Sequence, residues 1–259
     1  MVARIGRWFI LRTRGLFYAA GFLIQVLKSA IFFGRDSRIA YRVLTMQILF
    51  TGVGALSVVA VLAVSLGAVI IVQGMSLLPQ FGQSQLIYTI LITVITRELG
   101  PILTAFIIIA RSGTAIATEL GNMVVSHEIE AYVSVGINPI SYLVVPRFLG
   151  VTASLLLLNL YFNIFGLMGS YFVTQLIHPI PLTQYFRSLL VSLSTADILS
   201  SLLKSLIFGV IISTVSTYNG FRVEGASTEI PQAVIKAVGQ SFVLCILADA
   251  IITLIYYVR

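Results

Sequence analysis

From Met46 to Val72 the chain carries no ionisable side chain, and the run is built almost wholly from aliphatic and small residues. That is more than the ~20 apolar residues an α-helix needs to cross a bilayer. Backbone amides in hydrocarbon can be satisfied only within a helix or a closed barrel, so this stretch fixes the class of fold. Four more apolar stretches follow, at 86–110, 148–175, 198–217 and 237–258. Together they predict an all-α integral membrane protein with five spans. Composition agrees: of 259 residues, 58% are hydrophobic and 10% charged, with mean hydropathy +1.04, whereas a soluble domain is about 25% charged.

Charge is unevenly placed. Residues 1–44 hold Arg4, Arg7, Arg12, Arg14, Lys28, Arg35, Arg38 and Arg42, eight of the sixteen basic residues. Between the two basic clusters, Leu16 to Phe33 is apolar apart from Gln25 and Lys28. A span there is barely long enough to cross and would strand one basic cluster outside, against the positive-inside bias. The segment is therefore expected to lie at the interface as an elbow helix, with Trp8, Phe9 and Phe17 as anchors. The chain thus divides into a basic N-terminal segment, 1–44, and a five-span domain, 45–259. With the N-terminus in the cytoplasm, Arg111, Arg147, Arg222 and Lys236 join the first eight inside, making twelve of sixteen. The reverse orientation inverts that imbalance.

The net charge of +7 reads as cytoplasmic flanks and contacts with anionic lipid, not as a nucleic-acid surface. Cys245 is the only cysteine, and His127 and His178 lack ligand spacing, so neither a disulfide nor a zinc site is expected. No G-x-x-x-x-G-K-[ST] loop occurs, which assigns any ATP hydrolysis to another chain. Ser112 and His127 have no orienting third residue and no G-x-S-x-G elbow, so a hydrolase is not supported. No small-residue cleavage site follows the basic N-terminus cleanly, so it is not read as a signal peptide. No repeat is evident, and five spans do not divide into inverted halves.

Two features carry chemistry. Arg97 and Glu98 sit within the second span, where an ionised side chain costs about 2.5–3.5 kcal/mol on insertion scales. Adjacent residues point about 100° apart on a helix, so the two should not meet one partner together. Pro101 lacks the N–H that would bond the carbonyl of Arg97, and Gly100 loosens the backbone further. A buried structural ion pair and a substrate-facing Arg97 are both open readings. A guanidinium suits the phosphate of a lipid headgroup. Asp249, alone in the last span, has no partner legible in sequence. Gly166 and Gly169 are expected to allow close helix packing.

The second feature lies in the polar stretch 111–147. Ser126 can cap a short helix, Glu128 and Glu130 fall in its first turn, and Gly136 and Pro139 end it. Ile129, Tyr132 and Val133 would form its apolar face. A helix of under three turns does not stand alone in water. It needs a surface, either its own membrane helices or a groove on a partner.

The series Glu98-Leu99-Gly100-Pro101, Ala110-Arg111-Ser112-Gly113, Glu119-Leu120-Gly121-Asn122-Met123, Glu128 through Pro139 and Pro146-Arg147-Phe148 resembles the signature region of MlaE-type permeases. These are the membrane subunits of lipid-trafficking ABC transporters that work with MCE proteins. The basic elbow segment, the five spans and Tyr218-Asn219-Gly220 before the last span also look similar, so the resemblance covers most of the chain. Glu130-Ala131, Gly136 and Pro146 faintly echo the coupling loop of other ABC permeases, with Tyr132 in place of the second alanine and a shorter proline spacing.

The resemblance implies a non-catalytic permease subunit in the bacterial inner membrane. It would be a homodimer bound to two cytoplasmic ATP-binding subunits, a periplasmic MCE-domain protein and a small cytoplasmic accessory subunit. The chain itself would hold no cofactor, ATP-Mg residing on the ATPase. A coupling helix at about Val124 to Val135 would enter the ATPase, with Glu119, Glu128, Glu130, Ala131 and Gly136 as its coupling residues. Phospholipid would lie near the second span, against Arg97, Glu98 and, one and two turns back, Val94 and Ile90. The competing reading is a secondary transporter or channel subunit with Arg97, Glu98 and Asp249 as an ion relay.

Overall fold

The computed structural model describes residues 21–31, 38–78, 86–177 and 179–258. The expected anchors Trp8, Phe9 and Phe17, the basic residues Arg4, Arg7, Arg12, Arg14, Arg35 and Arg259, the loop residues Pro79 and Gly82, and His178 lie outside the described residues. Among the described residues there is no strand. A short apolar helix, α1 (Gly21–Ile31), precedes five helices long and apolar enough to cross a membrane: α2 (Tyr41–Leu77), α3 (Leu86–Val125), α5 (Ile140–Ile177), α7 (Thr195–Gly220) and α8 (Ser227–Tyr256). Two short helices complete the set, α4 (Glu128–Ser134) and α6 (Leu182–Ser192).

The helices run past the hydropathy limits of their apolar stretches. The polar stretch 111–147 was expected as a loop, yet all but residues 126–127 and 135–138 are helical. No proline interrupts the chain between Pro101 and Pro139, so α3 continues after its apolarity ends. At about 1.5 Å per residue, its 40 residues extend roughly 60 Å, about twice the hydrocarbon thickness. Polarity marks where the helix leaves the apolar layer, not where it stops.

α5 is the centre of the bundle, with 67% of its most apolar window buried, and α8 is the outermost, with 11%. α5 packs along α2, α3 and α7, and α7 packs in turn on α3 and α8. Ile95, Ile108, Leu155, Phe162 and Phe208 fill the shared core. Glycine permits the α2–α5 seam: a Cβ on Gly67 would collide with the carbonyl of Gly166, and one on Gly169 would lie 2.7 Å from the Cα of Val64.

At the end of the bundle that carries α4, α1 buries Val26 against Val144 and Phe148. Its Phe22 ring lies 5.9 Å from Tyr218 and 6.5 Å from Phe221. The eleven described residues of α1 reach about 16 Å and lie against the bundle. At the opposite end α6 docks through Tyr185, fully buried, whose hydroxyl is 2.6 Å from the Oγ of Ser170. Burial pushes the Tyr185 phenol up to about 12.

Candidate functional site

Two local departures from α geometry position the charged residues. Thr93–Leu99 is π-helical, and Pro101 opens the α-helical segment that follows. There its missing N–H and fixed φ are readily accommodated. The π stretch, with its i→i+5 bonds, changes which residues share a face. Arg97 turns inward and is 6% exposed, while Ile90 is 40% exposed and Val94 half-buried. Arg97 is therefore inside the chain, and Ile90 and Val94 lie on the flank.

Arg97 Nη1 is 3.4 Å from Asp197 Oδ1, and its Nε is 3.6 Å from Glu98 Oε1. Its guanidinium stacks 3.8 Å over the Tyr256 ring. The neighbours Arg97 and Glu98 thus interact after all, because the altered helical turn and the length of both side chains bring the groups together. Glu98 continues the network: its Oε2 accepts from Lys204 Nζ at 2.6 Å. Lys204 also donates to Thr253 Oγ1 at 2.8 Å and lies 3.0 Å from Asp249 Oδ1. Asp249 thereby gains the partner that sequence could not name.

Two members of this cluster were not foreseen in sequence. Lys204 is 1% exposed although it falls in an apolar stretch. Asp197 had a legible signal, because Ser194-Thr195-Ala196-Asp197 fits a capping box. Ser194 Oγ accepts from the Asp197 amide at 3.2 Å, and Asp197 Oδ2 accepts from the Ser194 amide at 3.1 Å. Asp197 both starts α7 and holds Arg97. Two cations and three carboxylates from α3, α7 and α8 thus meet in one buried cluster. Such a cluster fixes three helices relative to one another, and it offers charge that a polar headgroup can compete for.

The other group stands at the opposite end. Ser126 does not cap α4; its hydroxyl proton is shared between the Asn122 carbonyl at 2.8 Å and Glu128 Oε1 at 3.0 Å. His127, at φ 58°, makes the left-handed turn that separates α3 from α4. The short helix is therefore Glu128–Ser134, and Val124 and Val125 of the expected coupling helix belong to α3. Gly136 closes it at φ 79°, with the Ile137 amide donating to the Tyr132 carbonyl at 2.9 Å.

Ile129 and Tyr132 pack against the bundle, Tyr132 with its ring 5.4 Å from Tyr142. Val133 turns outward at 59% exposure, beside exposed Glu128, Glu130 and Ala131. Glu130 Oε2 lies 3.2 Å from His127 Nδ1. Glu119 is not on this helix. It stands on α3 and accepts from Arg147 Nη2 of α5 at 2.7 Å, tying together the two helices that carry α4.

Known proteins resemble this chain along most of its length. The family model described as permease MlaE matches residues 44–255. A probable ABC transporter permease protein of Rickettsia prowazekii is 33% identical over 211 residues, 82% of each chain. One from Synechocystis is 29% identical over 231 residues, 89% of this chain and 87% of the relative. The chloroplastic protein trigalactosyldiacylglycerol 1 of Arabidopsis thaliana is 28% identical over 220 residues, 85% of this chain and 63% of the plant protein. A five-span helical bundle with a short helix between its second and third spans, matched over this length, belongs to the MlaE permease family.

Proposed function

We propose that the chain is the membrane subunit of an ATP-driven transporter that moves phospholipid or a related lipid between the inner membrane and the periplasm. ATP is hydrolysed on a separate subunit. The observation that carries this reading is α4, a seven-residue helix held at the joint between two long spans with its outer face free. A helix so short is placed by what it touches, and its free face suits the groove of an ATPase. Glu128, Glu130 and Ala131 meet that partner, Gly136 sets the exit of the chain, and Glu119 braces the joint through Arg147.

Lipid as cargo is supported by the name of the Arabidopsis relative, a galactolipid, and by the chemistry of the second span. Ile90 and Val94 line the lipid path, and Arg97 with Glu98 bounds it on the inside. The free face of α8 suits a second copy of the chain, giving a homodimer with two cytoplasmic ATP-binding subunits. A periplasmic MCE-domain protein and a small cytoplasmic accessory subunit complete the assembly, and the N-terminus is cytoplasmic.

Glu130→Lys tests the coupling role. The variant should retain its membrane fold while losing co-purification of the ATPase and ATP-dependent lipid movement; retention of both would remove α4 from the coupling path. Arg97→Ala should reduce photocrosslinking to lipid within the membrane, and unchanged crosslinking would exclude Arg97 from the lipid path.

A further inference from the structure

Beside the Arg147–Glu119 pair, α2, α3 and α5 enclose a cleft of about 620 Å³ at the α4 end of the bundle. Its lining changes chemistry along its length. One end carries Arg42, Glu119 and Arg147; the other is walled by Met46 and Phe50 of α2, which are 62% and 47% exposed on a membrane-crossing helix. Ligand sites of about 300–1,000 Å³ typically combine an apolar wall with a few placed polar groups, and this cleft has both.

The charge is not balanced within the cleft. Arg147 is 5% exposed: Nη2 donates to Glu119, Nη1 donates to the Leu143 carbonyl at 2.8 Å, and Nε has no acceptor among the described residues. Glu119 is taken up by Arg147. Among the described residues no carboxylate lies within ion-pair distance of Arg42. The same holds for Arg111 nearby, whose guanidinium lies 5.3 Å from the Phe50 ring centroid. Among the described residues two arginines line the cleft, with Arg111 beside its Phe50 wall, against one carboxylate.

We propose that this cleft binds one anionic glycerophospholipid from the leaflet on the α4 side. Arg42 and the Nε edge of Arg147 take the phosphate, and an acyl chain lies along Met46 and Phe50. A guanidinium pairs with phosphate through directed hydrogen bonds, and juxtamembrane arginines favour anionic over zwitterionic lipid. A soluble anion would leave the Met46–Phe50 wall uncovered, and an apolar chain alone would leave the arginines unmatched. The lipid meets both requirements. The site is separate from the Arg97 cluster whatever the transported cargo, and the bound lipid would tie α2 to the α3–α5 joint.

The test uses the full chain carrying Trp8→Phe and Met46→Trp, in vesicles of phosphatidylcholine with increasing fractions of brominated phosphatidylglycerol or, in parallel, brominated phosphatidylcholine. Half-maximal quenching is expected at about fivefold lower fraction for the anionic lipid, the preference that about 1 kcal/mol from the exposed Arg42 gives. Arg42→Gln should erase the preference and Arg42→Lys should keep most of it. Both change an exposed side chain, so the fold is retained. Val43→Trp serves as the reporter if Met46→Trp does not fold.

Equal quenching by the two lipids, or a preference untouched by Arg42→Gln, overturns the proposal. Loss of the preference on adding inorganic phosphate or glycerophosphoglycerol also overturns it, reassigning the cleft to a free anion. None of these outcomes bears on ATPase coupling through Glu130.

Discussion

The Nζ of Lys204 lies 2.6 Å from Glu98 Oε2, linking residues 106 positions apart in sequence on α7 and α3. Lys204 is the least exposed member of the charge cluster and also meets Asp249. Lys204→Met should therefore strand Asp249 and leave Glu98 only its longer contact with Arg97, and loss of one partner of a buried pair costs about 3–5 kcal/mol. Thermal unfolding in mild detergent should show a large fall in Tm. Adding Glu98→Gln and Asp249→Asn should restore much of it; an equal fall in the triple variant would show that packing, not charge pairing, sets the cost.

The α2–α5 seam makes a second prediction. Gly169→Ala places a Cβ 2.7 Å from a backbone atom, the Cα of Val64. No rotamer change relieves that contact, and overpacking typically costs about 1–3 kcal/mol. Gly239→Ala on α8 meets nothing within 4 Å and should be neutral or slightly stabilising. A comparison of the two midpoints checks the seam directly, and equal behaviour would contradict it.

Gly136, at φ 79° with open space around it, is required for its backbone, not for its size. Gly136→Ala should cost about 1–2 kcal/mol locally, the penalty of a side chain in the left-handed region, and should loosen the exit of α4. ATP-dependent transport should fall while Tm changes little. Gly136→Asn, better tolerated in that region, should retain more transport than the alanine variant.

Tyr185 gives a pH signature. Its phenol is raised from 10.0 to about 12, chiefly by burial, with the Ser170 hydrogen bond opposing and Tyr88 adding to the rise. A raised folded value means that the contribution is fully present below pH 10 and is lost as the pH climbs toward about 12. Tyr185→Phe should be less stable than the parent by about 1 kcal/mol near neutrality. The gap in Tm between the two should close between pH 10 and 12; a gap independent of pH would show that the hydroxyl is not buried as described.

Sequence exposed the framework of the fold because hydrocarbon imposes it: charge-free runs must be helices, and their number is readable. It also exposed Arg97, Glu98 and Asp249, since each is an expensive interruption. Their pairing was hidden, because hydropathy and periodicity register neighbours along the chain. Lys204 reaches Glu98 and Asp249 only once three helices have packed. The outward placement of Ile90 and Val94 relative to Arg97 was hidden for another reason, as α-helical spacing does not hold through Thr93–Leu99.

At α4 the existence of a short helix was legible from Gly136 and the acidic first turn, but its start was not. Ser126 has the chemistry of a cap, and the left-handed turn at His127 decided otherwise. Glu119 was grouped with α4 by the family resemblance, whereas the continuous helix keeps it on α3.

The length of α3 has a mechanical consequence. Arg97 is clamped by α7 and α8, and from there to Val125, where α4 begins to turn away, the helix runs about 42 Å at ~1.5 Å per residue. That segment is a lever with its fulcrum at the charge cluster. A tilt of about 5° at the fulcrum carries the α4 end sideways by about 4 Å, comparable to the width of a side chain. Motions too small to disturb core packing near Arg97 are thus displacements on the scale of a docking contact at Glu128 and Glu130.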